Sequence, residues 1–204
     1  MIEVFTANTP NGIKVPIALE ELGVPYELKT IALGSGELRS AEYLRINPNA
    51  KVPAIRHRDG TAAPVTVFES GAILLYLAQG FGGLLGTAPA ARAQTLSWLF
   101  LQAAGLGPMM GNAAHFRSLR TPAPYATERF EGEAGRHLGL LEARLGEVEW
   151  LNGESYSVAD IAHFSWVRSA NYAGFDLKDF PVLHAWVKKI EQRPATIRAL
   201  ASLA

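Results

Sequence analysis

The chain has 204 residues, 49% of them hydrophobic and 19% charged, enough apolar matter to bury a core as one large domain or two small ones and too much for a disordered chain. Its 19 basic and 19 acidic residues cancel, so no overall basic field speaks for nucleic acid or an anionic membrane as a partner. Cysteine is absent, which excludes disulfides, zinc-thiolate sites and a protein thiol nucleophile: any thiol chemistry has to arrive with a ligand.

In chain order, residues 2–6 form an apolar strand candidate, and 11–22 carry helical spacing at Ile13, Ile17, Ala18 and Leu22 before Gly23 as a helix stop. Residues 26–31 read as a second strand, so the chain opens as a right-handed βαβ unit with its two strands parallel. A short helix is expected over 41–45, a third strand from Val52-Pro53-Ala54-Ile55, a turn at Asp59-Gly60, a returning strand at 65–67 and a helix over 69–79. Beyond Gly80 the strand signals cease. The spacing predicts helices over 90–110, 125–145, 157–171, 180–192 and 194–203, with Pro122 and Pro124 punctuating the first gap. The expected division is therefore 1–80 as an α/β domain, 81–88 as a Gly- and Pro-containing linker, and 89–204 as an all-helical domain.

No apolar stretch is long enough to span a bilayer, and Met1-Ile2-Glu3-Val4-Phe5 is not a basic segment followed by an apolar run, so a cytoplasmic location is expected. The five histidines show no metal-ligand spacing, and no nucleotide motif is visible.

Four short stretches could carry more than folding information. Thr9-Pro10-Asn11-Gly12 lies between the first strand and the first helix; its hydroxyl and amide suit helix capping, the reading these residue types favour by themselves, and could also hold an anion at a positive helix end. Val52-Pro53 is either an ordinary proline at a strand start or a cis bond that leaves the Val52 backbone N–H and C=O to an extended peptide ligand. Glu69-Ser70 either caps the next helix or reads an amino-acid head group, Ser70 meeting a carboxylate and Glu69 an ammonium. Ser157-Val158-Ala159-Asp160 is a capping box and a folding signal only.

Taken in order, these motifs resemble the glutathione transferase superfamily over essentially the whole chain. Val52-Pro53 looks like its cis-proline turn, Glu69-Ser70-Gly71-Ala72-Ile73 like its γ-glutamyl-binding motif, and Ser157-Val158-Ala159-Asp160 like its C-domain capping box. Thr9-Pro10-Asn11-Gly12, Phe68 to Leu77, Trp98-Leu99-Phe100 and Gly105-Leu106-Gly107-Pro108-Met109 are similar to the bacterial nu class, with a more distant likeness to the globular domain of the fungal nitrogen-regulation prion protein. The resemblance implies a thioredoxin-like βαβαββα domain on a mixed four-stranded sheet, followed by a helical bundle. It implies glutathione as substrate, a homodimer, and a disulfide-bond reductase that uses two glutathiones beside a modest transferase activity. Thr9 and Asn11 then hold the sulfur as thiolate, while Lys51, Val52, Pro53, Glu69 and Ser70 bind the rest of glutathione. Arg129 matches a position from which the helical domain reaches that site, and reads otherwise as a solvated helix arginine.

The chain departs from the pattern at Leu38, where relatives commonly carry glutamine, and at Ala41, where they carry proline. Lys51 is the candidate for the glycyl carboxylate in their stead, a surface lysine being the alternative. The second substrate has Trp98, Phe100, Met109, Met110, His115, Phe116 and Trp166 available in the helical domain, most of which helical spacing assigns to a core instead. Two rival readings share the fold: a non-catalytic glutathione-binding module, and another glutathione-dependent lyase or isomerase.

Overall fold

A computed structural model describes residues 1–60 and 63–204. It opens with β1 (Ile2–Thr6), α1 (Lys14–Leu22), β2 (Tyr26–Thr30), a 3-10 turn (Glu37–Arg39), α2 (Ala41–Leu44), β3 (Ala54–His57), β4 (Val65–Phe68) and α3 (Ser70–Phe81). The strands form one sheet in the order β2-β1-β3-β4, β1 and β2 parallel and the other pairs antiparallel. This is the expected thioredoxin-like βαβαββα domain on a mixed sheet. Residues 61 and 62 of the β3–β4 connection lie outside the described residues; at the expected Asp59-Gly60 turn, Gly60 stands at φ 95°.

Burial explains why these segments take these forms. Ile2 and Val4 alternate inward along β1, while α1 turns Val15, Ile17, Ala18 and Leu19 into the core, and α3 adds Ile73, Leu74 and Leu77. Each fully buried valine, leucine or isoleucine among them contributes about 1.5–3 kcal/mol relative to exposure. Gly23 ends α1 in the left-handed region at φ 64°, as its place after Leu22 predicts. Asn11 to Ile13, expected in the helix, instead form the turns that lead into α1.

The second unit holds α4 (Pro89–Leu101), a π-helical turn (Gln102–Leu106), α5 (Gly107–Arg117), α6 (Pro124–Glu147), α7 (Val158–Val167), a 3-10 turn (Ala170–Ala173) and α8 (Pro181–Glu191). The helix predicted over 90–110 thus has a π turn inside it and continues through α5 to Arg117. A π turn adds a residue to the helical repeat. The close approach it allows is visible at Gly105, where a Cβ would collide with the His137 imidazole of α6. The capping box forms: Asp160 Oδ2 accepts from Ser157 N–H at 3.0 Å and from Ser157 Oγ at 2.9 Å, and Oδ1 accepts from Leu151 N–H at 3.0 Å. Of the aromatic and methionine residues considered for the second substrate, Met110 is core whereas Phe100 is 61% exposed.

α9 (Pro194–Ala201) differs from the sequence expectation of one helical domain over 89–204, because residues 193–204 cluster with Met1–Gly83 and the second compact unit is Leu84–Gln192. Arg193 sets a bidentate pair on Glu21 at 2.6 and 2.8 Å, Arg198 bonds Glu20 at 2.6 Å, and Ala195, Thr196 and Ala199 are buried. The amphipathic pattern of the last helix is the same whichever unit covers it, so periodicity could not choose. Among the described residues no helix is long and apolar enough to cross a membrane.

Candidate functional site

The sheet register brings three loops to one end of the first unit. Phe5 of β1 pairs with Ala54 of β3, and Ala54 pairs with Phe68 of β4. β1 therefore leaves the sheet where β3 enters it and β4 leaves it. The loop 7–13, the turn 50–53 and the start of α3 at Ser70 are neighbours for that reason.

The first loop is tightly wound. Thr9 N–H donates to Ala7 O at 2.8 Å, Ile13 N–H to Thr9 O at 3.0 Å, and Gly12 N–H to Thr9 Oγ1 at 3.0 Å. Thr9 thus does the local capping work open to it, and because its oxygen accepts there, its own O–H hydrogen is directed elsewhere. Buried Thr6 donates to Gly12 O at 2.8 Å. Only glycine fits at position 12: a Cβ would stand inside the Ala7 carbonyl oxygen and within 2.7 Å of Thr6 Oγ1 and 2.9 Å of Thr9 Oγ1.

Lys14, the first residue of α1, is 1% exposed. Its Nζ donates to Asn11 Oδ1 at 2.8 Å and to Ser70 Oγ at 3.2 Å. Loss of hydration pulls its pKa down to about 7, against the Glu69 charge that favours the ammonium. Sequence reasoning missed this residue. Its signal was a lysine one turn before Ile17 and Ala18, on the apolar face of α1.

The second loop is braced by two further residues not foreseen. Tyr43 Oη donates to Lys51 O at 2.7 Å and Asn47 Nδ2 donates to the same oxygen at 2.6 Å. Burial pushes the Tyr43 phenol up to about 12, so it stays a donor. Asn47 Oδ1 accepts from Asn49 N–H at 2.9 Å, Ala50 turns at φ 54°, and the Val52-Pro53 peptide is cis. Lys51 is exposed, Val52 half-buried and Pro53 buried. Leu38 packs on the cluster of Ile31, Tyr43, Ile46 and Ala54, and its side chain has no hydrogen bond to offer a ligand.

At the third, Glu69 stands at the N-cap of α3 with φ 70° and ψ 118°, a left-handed conformation that costs a non-glycine residue about 1–3 kcal/mol, and its side chain makes no capping bond. Its carboxylate is exposed and faces Asn49 Nδ2 at 3.4 Å. Ser70 is buried at the first position of α3. The structure thus joins Asn11 to Ser70 through Lys14, and Glu69 to the 47–53 turn through Asn49. Arg129 is exposed on α6 in the second unit. Among the described residues no group of three or more histidine, aspartate or glutamate side chains could hold a metal ion.

Residues 9–79 match the family model for the glutathione S-transferase N-terminal domain, and residues 105–194 match that for the C-terminal domain. The chain belongs to the glutathione S-transferase family. It is 45% identical over 204 residues to the disulfide-bond oxidoreductase YfcG of Escherichia coli K12, covering 98% of this chain and 94% of that one. A glutathione transferase family member from Pseudomonas fluorescens pf-5, solved with two glutathione bound, superposes with a TM-score of 0.91 at 40% identity over 98% of this chain and 92% of that one. A glutathione transferase from Pseudomonas putida, solved with one glutathione disulfide per subunit, gives 0.92 at 37% identity over 98% and 90%.

Proposed function

We propose that this transferase-family protein holds glutathione as the thiolate and uses it to reduce small disulfides and to conjugate electrophiles. The observation that carries the reading is the convergence, in a chain without cysteine, of the Thr9/Asn11 loop, the Val52-Pro53 turn and the Glu69-Ser70 helix start at one end of the sheet. Relatives described as a disulfide-bond oxidoreductase and as transferases with two glutathiones or glutathione disulfide bound support it.

In this reading Thr9 O–H and the Asn11 amide donate to the sulfur, where each unit by which they lower the thiol pKa represents about 1.36 kcal/mol of thiolate stabilisation. The backbone of Val52, ahead of Pro53, meets the cysteinyl peptide unit. Ser70 and the start of α3 take the γ-glutamyl carboxylate, with about 0.3–1 kcal/mol from the helix dipole, and Glu69 takes the ammonium. Lys51 meets the glycyl carboxylate in place of the contact that Leu38 cannot make, and Arg129 is a further glutathione-binding residue. The protein works as a cytoplasmic homodimer.

For a disulfide substrate, the thiolate attacks one sulfur, an S–S bond forms to glutathione, and the substrate S–S bond breaks. The first product thiolate leaves and takes up a proton. A second glutathione thiolate attacks the glutathione sulfur of the mixed disulfide, releasing the second product thiol and glutathione disulfide. Two electrons pass from two glutathiones to one substrate.

The test is glutathione-dependent reduction of 2-hydroxyethyl disulfide beside conjugation of chlorodinitrobenzene, with Asn11→Ala and Thr9→Ala as controls. Reduction well above conjugation, lost in the variants, supports the reading. Turnover intact in both variants removes Thr9 and Asn11 from the chemistry, and glutathione binding with no turnover across substrates favours a binding module.

A further inference from the structure

Lys14 is a buried ammonium at the positive end of a helix, where both burial and the dipole disfavour a cation. A feature that costs stability at a site calls for a reason in the site. The geometry supplies one. An ammonium carries three donors and no acceptor, so the atom of Asn11 that it meets must be the amide oxygen, and at Ser70 it must occupy a lone pair of the hydroxyl.

We propose that Lys14 is a positioning residue: by taking Asn11 Oδ1 and a lone pair of Ser70 Oγ, it turns the Asn11 Nδ2 hydrogens and the Ser70 hydroxyl hydrogen outward for donation to an anionic ligand. The inference rests on the reading of Asn11 and Ser70 as thiolate and carboxylate donors. It adds that one side chain sets both, although they meet different residues of the ligand and stand 59 residues apart in the chain. The ammonium also brings a positive charge to the start of α3, beside the dipoles of α1 and α3.

The charges around it are few among the described residues. Glu69 acts on Nζ and favours its charged form. On the segment packed against α1, Arg193 and Arg198 are tied to Glu21 and Glu20, about two turns further along the helix. On α3, Tyr76 is bonded to His57. A bound anion that prefers the charged lysine must, by linkage, be matched by a lysine that holds its proton more firmly when the anion is present.

The experiment compares wild type with Lys14→Met, which keeps length without charge, and Lys14→Gln, which keeps a donor without charge. The side-chain amide signals of Asn11 are recorded by 15N NMR in the unliganded proteins. The thiol of bound glutathione is titrated by thiolate ultraviolet absorbance, with Asn11→Ala as control. The expected result is that the Asn11 amide signals of Lys14→Met move or average, and that the bound thiol titrates at least one unit higher than in wild type, a tenfold loss of thiolate below that pKa. Lys14→Gln is expected to restore the Asn11 signals and only part of the thiolate. An Asn11 amide unmoved in Lys14→Met overturns the positioning role whether or not glutathione binds. A bound thiol unchanged in Lys14→Met but raised in Asn11→Ala also overturns it while leaving the proposed function standing. Failure of wild type to bind glutathione, with the Asn11 amide still governed by Lys14, sinks the proposed function and not the positioning.

Discussion

Lys14 Nζ lies 3.2 Å from Ser70 Oγ, joining the first residue of α1 to the first residue of α3 across 56 positions of the chain. Two helices that start at the same end of the sheet are thereby joined at their N-termini by a polar bond.

The same bond has a pH signature. Lys14 has a folded pKa of about 7 against 10.5 for an unperturbed lysine, so between those values the unfolded chain binds more protons than the native one. Stability must then rise with pH across that window, by on the order of 4 kcal/mol if the group acts alone. Urea unfolding of wild type and Lys14→Met at pH 7 and at about pH 9.5 checks this. The rise is expected in wild type and reduced in the variant, and Lys14→Met is expected to be no less stable at pH 7 even as activity falls.

Gly12→Ala is expected to destabilise the protein by about 1–3 kcal/mol and to lower turnover more than tenfold, since the new Cβ meets backbone and two held hydroxyls, and the Thr9–Asn11 loop has to move. Thermal unfolding and the disulfide reductase assay measure the two effects. Turnover at the wild-type level would show that the loop's shape is not used.

Tyr43→Phe should cost about 0.5–1.5 kcal/mol, because Asn47 still donates to the Lys51 carbonyl. The double variant Tyr43→Phe/Asn47→Ala should cost more than the two singles together, leaving that carbonyl without either donor. In the proposed function it also raises KM for glutathione more than it lowers kcat, as the 51–53 turn meets substrate and not the sulfur. A double-mutant cycle read by both denaturant unfolding and kinetics decides it.

Asp160→Ala should cost about 2–4 kcal/mol, since it strips the acceptor from Ser157 N–H and Leu151 N–H inside the second unit, and should leave turnover per folded molecule unchanged. Burial raises the Asp160 pKa from 3.8 to about 6, so this carboxyl contributes stability that is present below 3.8 and lost as pH rises through about 6. That component of the pH profile should be missing from the variant.

Local rules read well from the chain. The alternation in residues 2–6, the spacing of Ile17 and Ala18, Gly23 as a stop, and Ser157 with Asp160 as a cap each depend on atoms within a few residues, and the structure agrees at each. The order of the weak motifs carried the family assignment where none did alone. The start of α1 was set too early because Thr9 and Gly12 close a turn whose shape depends on Thr6 from the strand behind it.

The sequence by itself determined the elements, their order, the family and the exclusion of any protein thiol, because strand and helix periods, caps and composition are written in near neighbours. Only the tertiary structure decided that α9 returns to the first unit through Arg193 and Glu21, that Tyr43 and Asn47 share the Lys51 carbonyl, and that Lys14 sits between Asn11 and Ser70. Those bonds join atoms up to 172 residues apart, and which of them meet is set by strand register and by which apolar face is covered, neither of which a local pattern encodes.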